Sequence, residues 1–222
     1  SHSGSRGVGF QIANHYSKLA QTLHPNLDKS LRHLAWLALD TQEGQEYWLS
    51  MHLAGRFAAA NHEVIHQRIA KAMKLKPLVV VENHHNFAWK ERIAAPAGFQ
   101  EGEREVIVHR KGATPAGKGV LGVIPGSMAD PGYVVRGMGN PESINSAAHG
   151  AGRRLGRKEA KRSLTKTERD RYLKERGVTL IGGGLDESPQ AYKPINEIMA
   201  AQDDLVEIVG RFTPRIVRMA NE

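Results

Sequence analysis

Six short strings couple a reactive or polar side chain to glycines or a tight turn: HSGSRG beginning at His2, HHNFAWKE at 84–91, HRKGATPA at 109–116, PGSM at 125–128, SAAHGAGRR at 146–154 and DESPQAYK at 186–193. In the fifth, His149 precedes Gly150 and Gly152. These glycines remove side-chain bulk and let backbone N–H groups approach a bound phosphate, while Arg153 and Arg154 supply charge. A neutral imidazole in that setting can attack phosphorus. Taken alone, a histidine beside glycines is more often a turn or hydrogen-bonding residue, so the string gains meaning only with its companions.

Two other strings match well-known patterns. HEVIH at 62–66 places two histidines one helical turn apart around a glutamate, the arrangement of a zinc hydrolase with His62 and His66 as ligands and Glu63 as base. With eleven histidines in the chain a chance match is a real alternative. The helical wheel also turns His62 and His66 away from the Leu53, Phe57, Val64 face and toward solvent. GATPAGKG at 112–119 satisfies most of a phosphate-binding loop but ends in Gly119 where a hydroxyl is needed. A strand and a turn follow it, not the helix whose N-terminus would face the phosphate. It reads as a glycine-rich connection. No K-x-D-G string provides the lysine nucleophile of ordinary nucleotidyl-transferring ligases.

The elements that must carry these strings follow from periodicity. Apolar residues recur at helical spacing from Gly9 to about His24 and again from about Glu43 to Lys74, the second with an alanine-rich middle that suggests close packing. Beyond Lys76 come the β-branched runs PLVVVENHH, REVIVHRKGA, KGVLGVIPG and GYVVRGMGN, separated by Gly and Pro as strands joined by turns. A basic helical stretch is expected over 151–175, then the turn IGGGLDESP and a helix over 195–209. Strands cluster instead of alternating with helices, which predicts an α+β fold, a mixed β-strand core with flanking helices, and argues against a doubly wound nucleotide-binding sheet.

Composition sets outer limits. The 222 residues, 40% hydrophobic and 24% charged, fit one compact domain or two. No cysteine is present, which excludes disulfides, a thiol nucleophile and thiolate metal sites. No apolar run is long enough for a membrane helix and SHSGSRG lacks signal-peptide order, so a cytoplasmic protein with no membrane partner is expected. The net charge of +8 is concentrated: residues 150–176 hold 11 basic and 4 acidic side chains. A clustered basic face suits nucleic-acid phosphates.

The six strings, in this order and with similar spacing, resemble the RtcB-type RNA-splicing ligases from Ser1 nearly to the C-terminus. That resemblance implies a catalytic region over 1–222 that acts in RNA repair and tRNA splicing. RNA ends carrying a 3′-phosphate or 2′,3′-cyclic phosphate would be joined to 5′-hydroxyl ends, using GTP and manganese (Mn2+). The intermediate it implies is a covalent histidine–GMP, with His149 as the guanylylated nucleophile. It further implies that His2 and His85 are manganese ligands and that Asn86 lies beside the nucleotide. Pro125, Gly126, Ser127 and Met128, with Gly150, Ala151 and Gly152, would form the guanosine pocket, with Tyr192 packing beside it. Whether the activating protein archease is needed stays open.

Three departures qualify the match. The family's upstream Asp-x-Gly-Cys-Gly and Gly-Asn-His-Phe motifs, which complete its two-manganese site, are absent from these 222 residues. Ser1 begins inside a glycine-punctuated loop, so the chain reads as truncated and as inactive alone. Asn221 stands near the place of a guanine-contacting lysine, and Gly132 where a serine often follows PGSM, so guanosine specificity could differ, as in a divergent paralogue. A zinc hydrolase at HEVIH and a non-catalytic RNA-binding fragment are the rival readings.

Overall fold

A computed structural model describes residues 1–94 and 102–219. They form an α+β structure whose chain folds into two compact units, Ser1–Val80 and Val81–Glu222.

The first unit is helical. Helix α1 (Val8–Leu23) begins at Gly7, which has a left-handed φ of 94°. Helix α2 (Gln42–Ala72) begins at Thr41, whose hydroxyl accepts from the Gly44 N–H at 3.1 Å and so satisfies a donor that the first turn leaves unpaired. A Cβ at Gly44 would fall 1.9 Å from the Ala38 carbonyl oxygen, so the approach to the helix requires glycine. The two helices meet through Tyr16 and Tyr47, rings 5.2 Å apart, and where Gly9 approaches the buried Ala54, a Cβ on Gly9 falling 3.7 Å from that of Ala54. The expected packing face is reversed. Leu53, Phe57 and Val64 are exposed, whereas His62 and His66 are partly covered. The N-terminal residues cover them: the Ser3 N–H donates to His62 Nε2 at 2.9 Å, and Ser1 Oγ pairs with His66 Nε2 at 2.8 Å.

The second unit holds all the strands. β1 (Asn86–Ala94) and β2 (Glu103–Lys111) form an antiparallel hairpin, and β3 (Ala113–Pro115) pairs antiparallel with β6 (Ser146–Ala148). β4 (Leu121–Ile124), β5 (Gly132–Gly137) and β8 (Val206–Phe212) make a three-stranded antiparallel sheet with β5 in the middle. β7 (Thr179–Ile181) and β9 (Ile216–Arg218) pair in parallel. Ile124, Tyr133 and Val135 of the sheet pack with Ala147, Ala151, Ile195, Met199 and Val206 in the main core. Met128, Ala129, Leu173 and Val178 form a smaller one.

Three boundaries differ from the sequence reading. PLVVVENHH, 77–85, lies outside any described strand, and the strand begins just after it at Asn86: β2 is already paired along its whole length by 86–94, and Leu78, Val79 and Val80 are exposed. The single basic helix is two, α3 (Arg157–Ser163) and α4 (Lys166–Glu175), because Thr165 and Glu168 form a reciprocal capping box that starts a new helix. The helix expected over 195–209 stops at Ala200 as α5 (Ile195–Ala200). The β-branched residues of 206–209 instead complete the sheet against β5, a long-range pairing that local periodicity does not register. Among the described residues no helix is long and apolar enough to cross a membrane.

Candidate functional site

The second unit brings two histidines together through one glycine. Gly112 follows β2 with φ +75°, a conformation that disfavours any side chain. Its N–H donates to the His85 carbonyl at 3.2 Å, and its carbonyl accepts the His149 N–H at 3.4 Å. The imidazoles of His85, at the entry to β1, and His149, at the exit of β6, consequently stack 4.9 Å apart at 20°. Both are half-buried, and Asn86 beside them is exposed.

What holds these strands is a buried arginine. Arg110 on β2, 3% exposed, donates from both terminal nitrogens to the Glu91 carboxylate on β1, at 2.5 and 2.9 Å. It also donates from Nε to Ser146 Oγ on β6 at 2.9 Å and from Nη2 to the Ile144 carbonyl at 3.0 Å. The hairpin that carries His85 is thereby fixed to the strand that delivers His149. From the far side, the buried Gln202 accepts the Ala148 N–H at 2.9 Å.

The PGSM turn lies against the glycine loop after His149. The Ala151 N–H donates to the Pro125 carbonyl at 3.1 Å, and a Cβ on Gly150 would come within 3.2 Å of the same oxygen. A Cβ on Gly126 would fall 2.5 Å from the Pro131 carbonyl, so glycine is obligatory in the turn. Ser127 donates to Asp130 Oδ2 at 2.5 Å and accepts from the Ala129 N–H at 3.2 Å. The Met128 side chain is in the smaller core, with Leu173 and Val178. Gly152 has φ +68° and no atom near its Cβ position, so its requirement is conformational. Gly132 has a packing reason of its own, since a Cβ there would fall 2.3 Å from the Phe212 ring.

Beyond Gly152 an ionic cluster locks the loop. Arg153 donates to the Asp186 carbonyl and to the Tyr192 hydroxyl, over whose ring its guanidinium lies 5.0 Å from the centroid. Tyr192 in turn donates to Glu187, and Arg157 donates to Asp186 at 2.5 Å and to Glu187. Burial alone raises the Asp186 carboxyl, but the Arg157 hydrogen bond and the charges of Lys161 and Arg157 outweigh it and hold the group below its ordinary value. Burial, then the hydrogen bond to Glu187, pushes the Tyr192 phenol up to about 12 from an ordinary 10.0. A raised phenol stabilises the fold fully below pH 10, and this contribution is lost as pH rises through about 12. Ultraviolet titration should therefore show a phenol step near pH 12 that Tyr192→Phe removes. A Tyr192→Phe difference spectrum that places the lost step near 10 would contradict the arrangement.

This cluster also revises the basic segment. Arg153, Arg157, Arg162, Arg169 and Arg176 are engaged within the chain, by Glu187, by Asp186 and Glu187, by Glu159, by Asp170 with the Gly183 carbonyl, and by the Tyr172 ring. Lys158, Lys166, Arg171 and Lys174 lie exposed on α3 and α4.

In the first unit His2 is exposed, flanked by Ser1 and Ser3, which are anchored on the histidines of α2, so this N-terminal segment is held. The HEVIH rings are 6.5 Å apart, with the Nε2 of each engaged by the N-terminal residues. Among the described residues no group of three or more His, Asp or Glu side chains could hold a metal ion, at HEVIH or around His85. The donor set thus fits a manganese site only in part. Asn221 lies outside the described residues.

A histidine flanked by two glycine turns, its neighbour a second imidazole, is a site able to accept a phosphoryl group on nitrogen. The chain belongs to the RtcB family: the sequence model of that family, described as tRNA-splicing ligase RtcB, matches residues 1–220. It is 34% identical over 221 residues to the RNA-splicing ligase RtcB of Escherichia coli K12, covering 94% of this chain and 52% of that protein. It is 34% identical over 246 residues to the tRNA-splicing ligase RtcB of Nanoarchaeum equitans, covering 96% and 50%, and 33% identical over 239 residues to the RNA-splicing ligase RtcB of Mycobacterium tuberculosis, covering 96% and 54%. The chain spans about half the length of these relatives.

Gly112, Arg110 and Gln202 were not singled out by sequence reasoning. A glycine directly after a strand, at the end of HRKG, is a visible signal for the first; the partners of the other two are 36 and 54 residues away.

Proposed function

We propose that this chain is the nucleotide-accepting part of an RNA ligase that joins 3′-phosphate or 2′,3′-cyclic phosphate ends to 5′-hydroxyl ends, acting in the cytoplasm. The observation that carries the proposal is the placement of His149 between His85 and the two glycine turns, in a family whose relatives are named as RNA-splicing and tRNA-splicing ligases. A nitrogen of His149 attacks the α-phosphorus of GTP; the N–P bond forms and pyrophosphate leaves with the electrons of the broken P–O bond. A 2′,3′-cyclic end is first opened by water at its P–O2′ bond to give a 3′-phosphate; an RNA 3′-phosphate oxygen then displaces the histidine from phosphorus, and the 5′-hydroxyl, losing its proton, attacks the activated 3′-phosphorus and releases GMP. The glycine turn at Gly150 and Gly152, its Ala151 N–H given to Pro125, is suited with the adjoining PGSM turn to hold the phosphate and the guanosine. Manganese is the proposed cofactor, with His2 and His85 as this chain's contribution and further ligands from outside it. When bound, the ion would supply Lewis-acid stabilisation of the departing charge. RNA and GTP are the proposed partners, and archease is a candidate activator.

Two imidazoles give an incomplete shell for a weakly bound ion such as manganese. The 222-residue chain alone should therefore show no RNA joining, and supplying the family's upstream portion should restore protein guanylylation and joining. Joining by the chain alone would refute the need for upstream ligands. Absence of a protein–GMP adduct in the complemented protein would overturn the ligase reading in favour of a non-catalytic RNA-binding part.

A further inference from the structure

One cleft in the second unit belongs to none of the groups so far assigned. It measures about 370 Å³ and opens at the elbow between α3 and α4, lined by Ser163, Leu164, Glu168, Arg171, Tyr172 and, from the opposite wall, Gln190. Glu175 completes its rim. The Gln190 wall is tied to the loop leaving His149: Arg154 Nε donates to the Gln190 carbonyl at 2.9 Å, and the Arg154 and Leu155 N–H groups donate to the Ala191 carbonyl at 2.9 and 3.2 Å. We infer that this cleft is a subsite for one unpaired nucleobase of RNA, an inference that rests on the ligase reading above and names where part of that substrate is held.

Three features select the occupant. Among the described residues Gln190 Oε1 is enclosed without a hydrogen-bond partner, a costly state that a ligand N–H can relieve, and every nucleobase carries such a donor on its pairing edge or exocyclic amine. Tyr172 presents an aromatic ring already backed by the Arg176 guanidinium, 3.4 Å from its centroid, and bases stack on both kinds of plane. The lining carries two carboxylates, Glu168 and Glu175, against the single cation Arg171, which disfavours a phosphate inside. Glu168 is already hydrogen-bonded by the Thr165 hydroxyl. Phosphates are served from outside by Lys166 and Lys174, exposed on the same helix as Arg171. The volume is at the low end of small-molecule sites, roughly 300–1,000 Å³, and suits one base, not a duplex.

The test uses the 222-residue chain, a fluorescent single-stranded RNA 12-mer and an abasic ribose-phosphate strand of the same length. Gln190→Leu keeps the side-chain size and removes the acceptor. It should weaken binding to the RNA about fivefold while leaving abasic-strand binding and the salt slope unchanged. Because Oε1 has no partner to lose, its melting temperature should not fall. Lys166→Ala combined with Lys174→Ala should weaken both strands alike and lower the salt slope by about 1.4. If wild type binds RNA and Gln190→Leu binds it equally, or loses both strands equally, the subsite is wrong while RNA binding stands. A wild-type chain that binds neither strand overturns the subsite together with the reading it rests on.

Discussion

His149→Ala should abolish transfer of label from α-labelled GTP to the complemented protein, a loss of about 10⁴-fold or more, as expected when a covalent nucleophile is removed. No neighbouring group can substitute easily. His85 stacks on His149 but belongs to the start of β1, with no glycine run following it to supply backbone donors, whereas His149 runs directly into Gly150, Ala151 and Gly152 against the PGSM turn. A phosphoramidate is acid-labile and base-stable, so the chemistry of the adduct identifies the atom. RNA already activated with GMP at its 3′ end bypasses the histidine step, and the mutant should still join it. Full labelling of His149→Ala, or failure on pre-activated RNA in a folded mutant, would refute the assignment.

Arg110→Ala should destabilise the second unit by about 3 kcal/mol. Removing one member of a buried ion pair costs about 3–5 kcal/mol, and the low end applies because Glu91 is 26% exposed and can regain water. Against a total stability of about 5–15 kcal/mol this is a large share, and guanylylation should fall with it because the His85 hairpin loses its tie to β6. Replacing Glu91 as well, in Arg110→Met with Glu91→Leu, removes the stranded carboxylate and should recover most of the stability. It should not recover guanylylation, since the bonds to Ser146 and Ile144 are still missing. Denaturant unfolding beside a GMP-labelling assay separates the two effects. Recovery of both would make Arg110 a purely structural residue.

These two residues also mark how far the sequence could be read. His149 announces itself because its chemistry and its glycines are consecutive, and the same holds for Pro125 to Ser127: what local spacing dictates, local reading finds. Arg110 reads as one more charge in HRKG, and only the pairing of Glu91 with Val106 and of Pro115 with Ser146 brings its partners within reach. Helices α1 and α2 were legible from their period, and even there the direction of the apolar face was not, because the Ser1–Ser3 segment competes for the histidine side of α2. The basic run was legible only in part, for a related reason. Its charge was counted within 150–176, while the acids that neutralise Arg153 and Arg157 are Asp186 and Glu187.

The position of β5 between β4 and β8 has a consequence for synthesis. β5 can pair with β4 as soon as residues 121–137 emerge, but its other edge, from Gly132 to Gly137, waits for Val206–Phe212. At about 5–20 residues per second the roughly 70 intervening residues take about 4–14 s. During that interval a β-branched strand with Val134 and Val135 at its centre is open on one side, and the nucleophile loop has emerged before the sheet beneath it is complete. A chain of which residues up to Arg153 but not yet Val206 have emerged would thus display HGAGR while lacking the β8 edge, an aggregation-prone intermediate that only β8 retires.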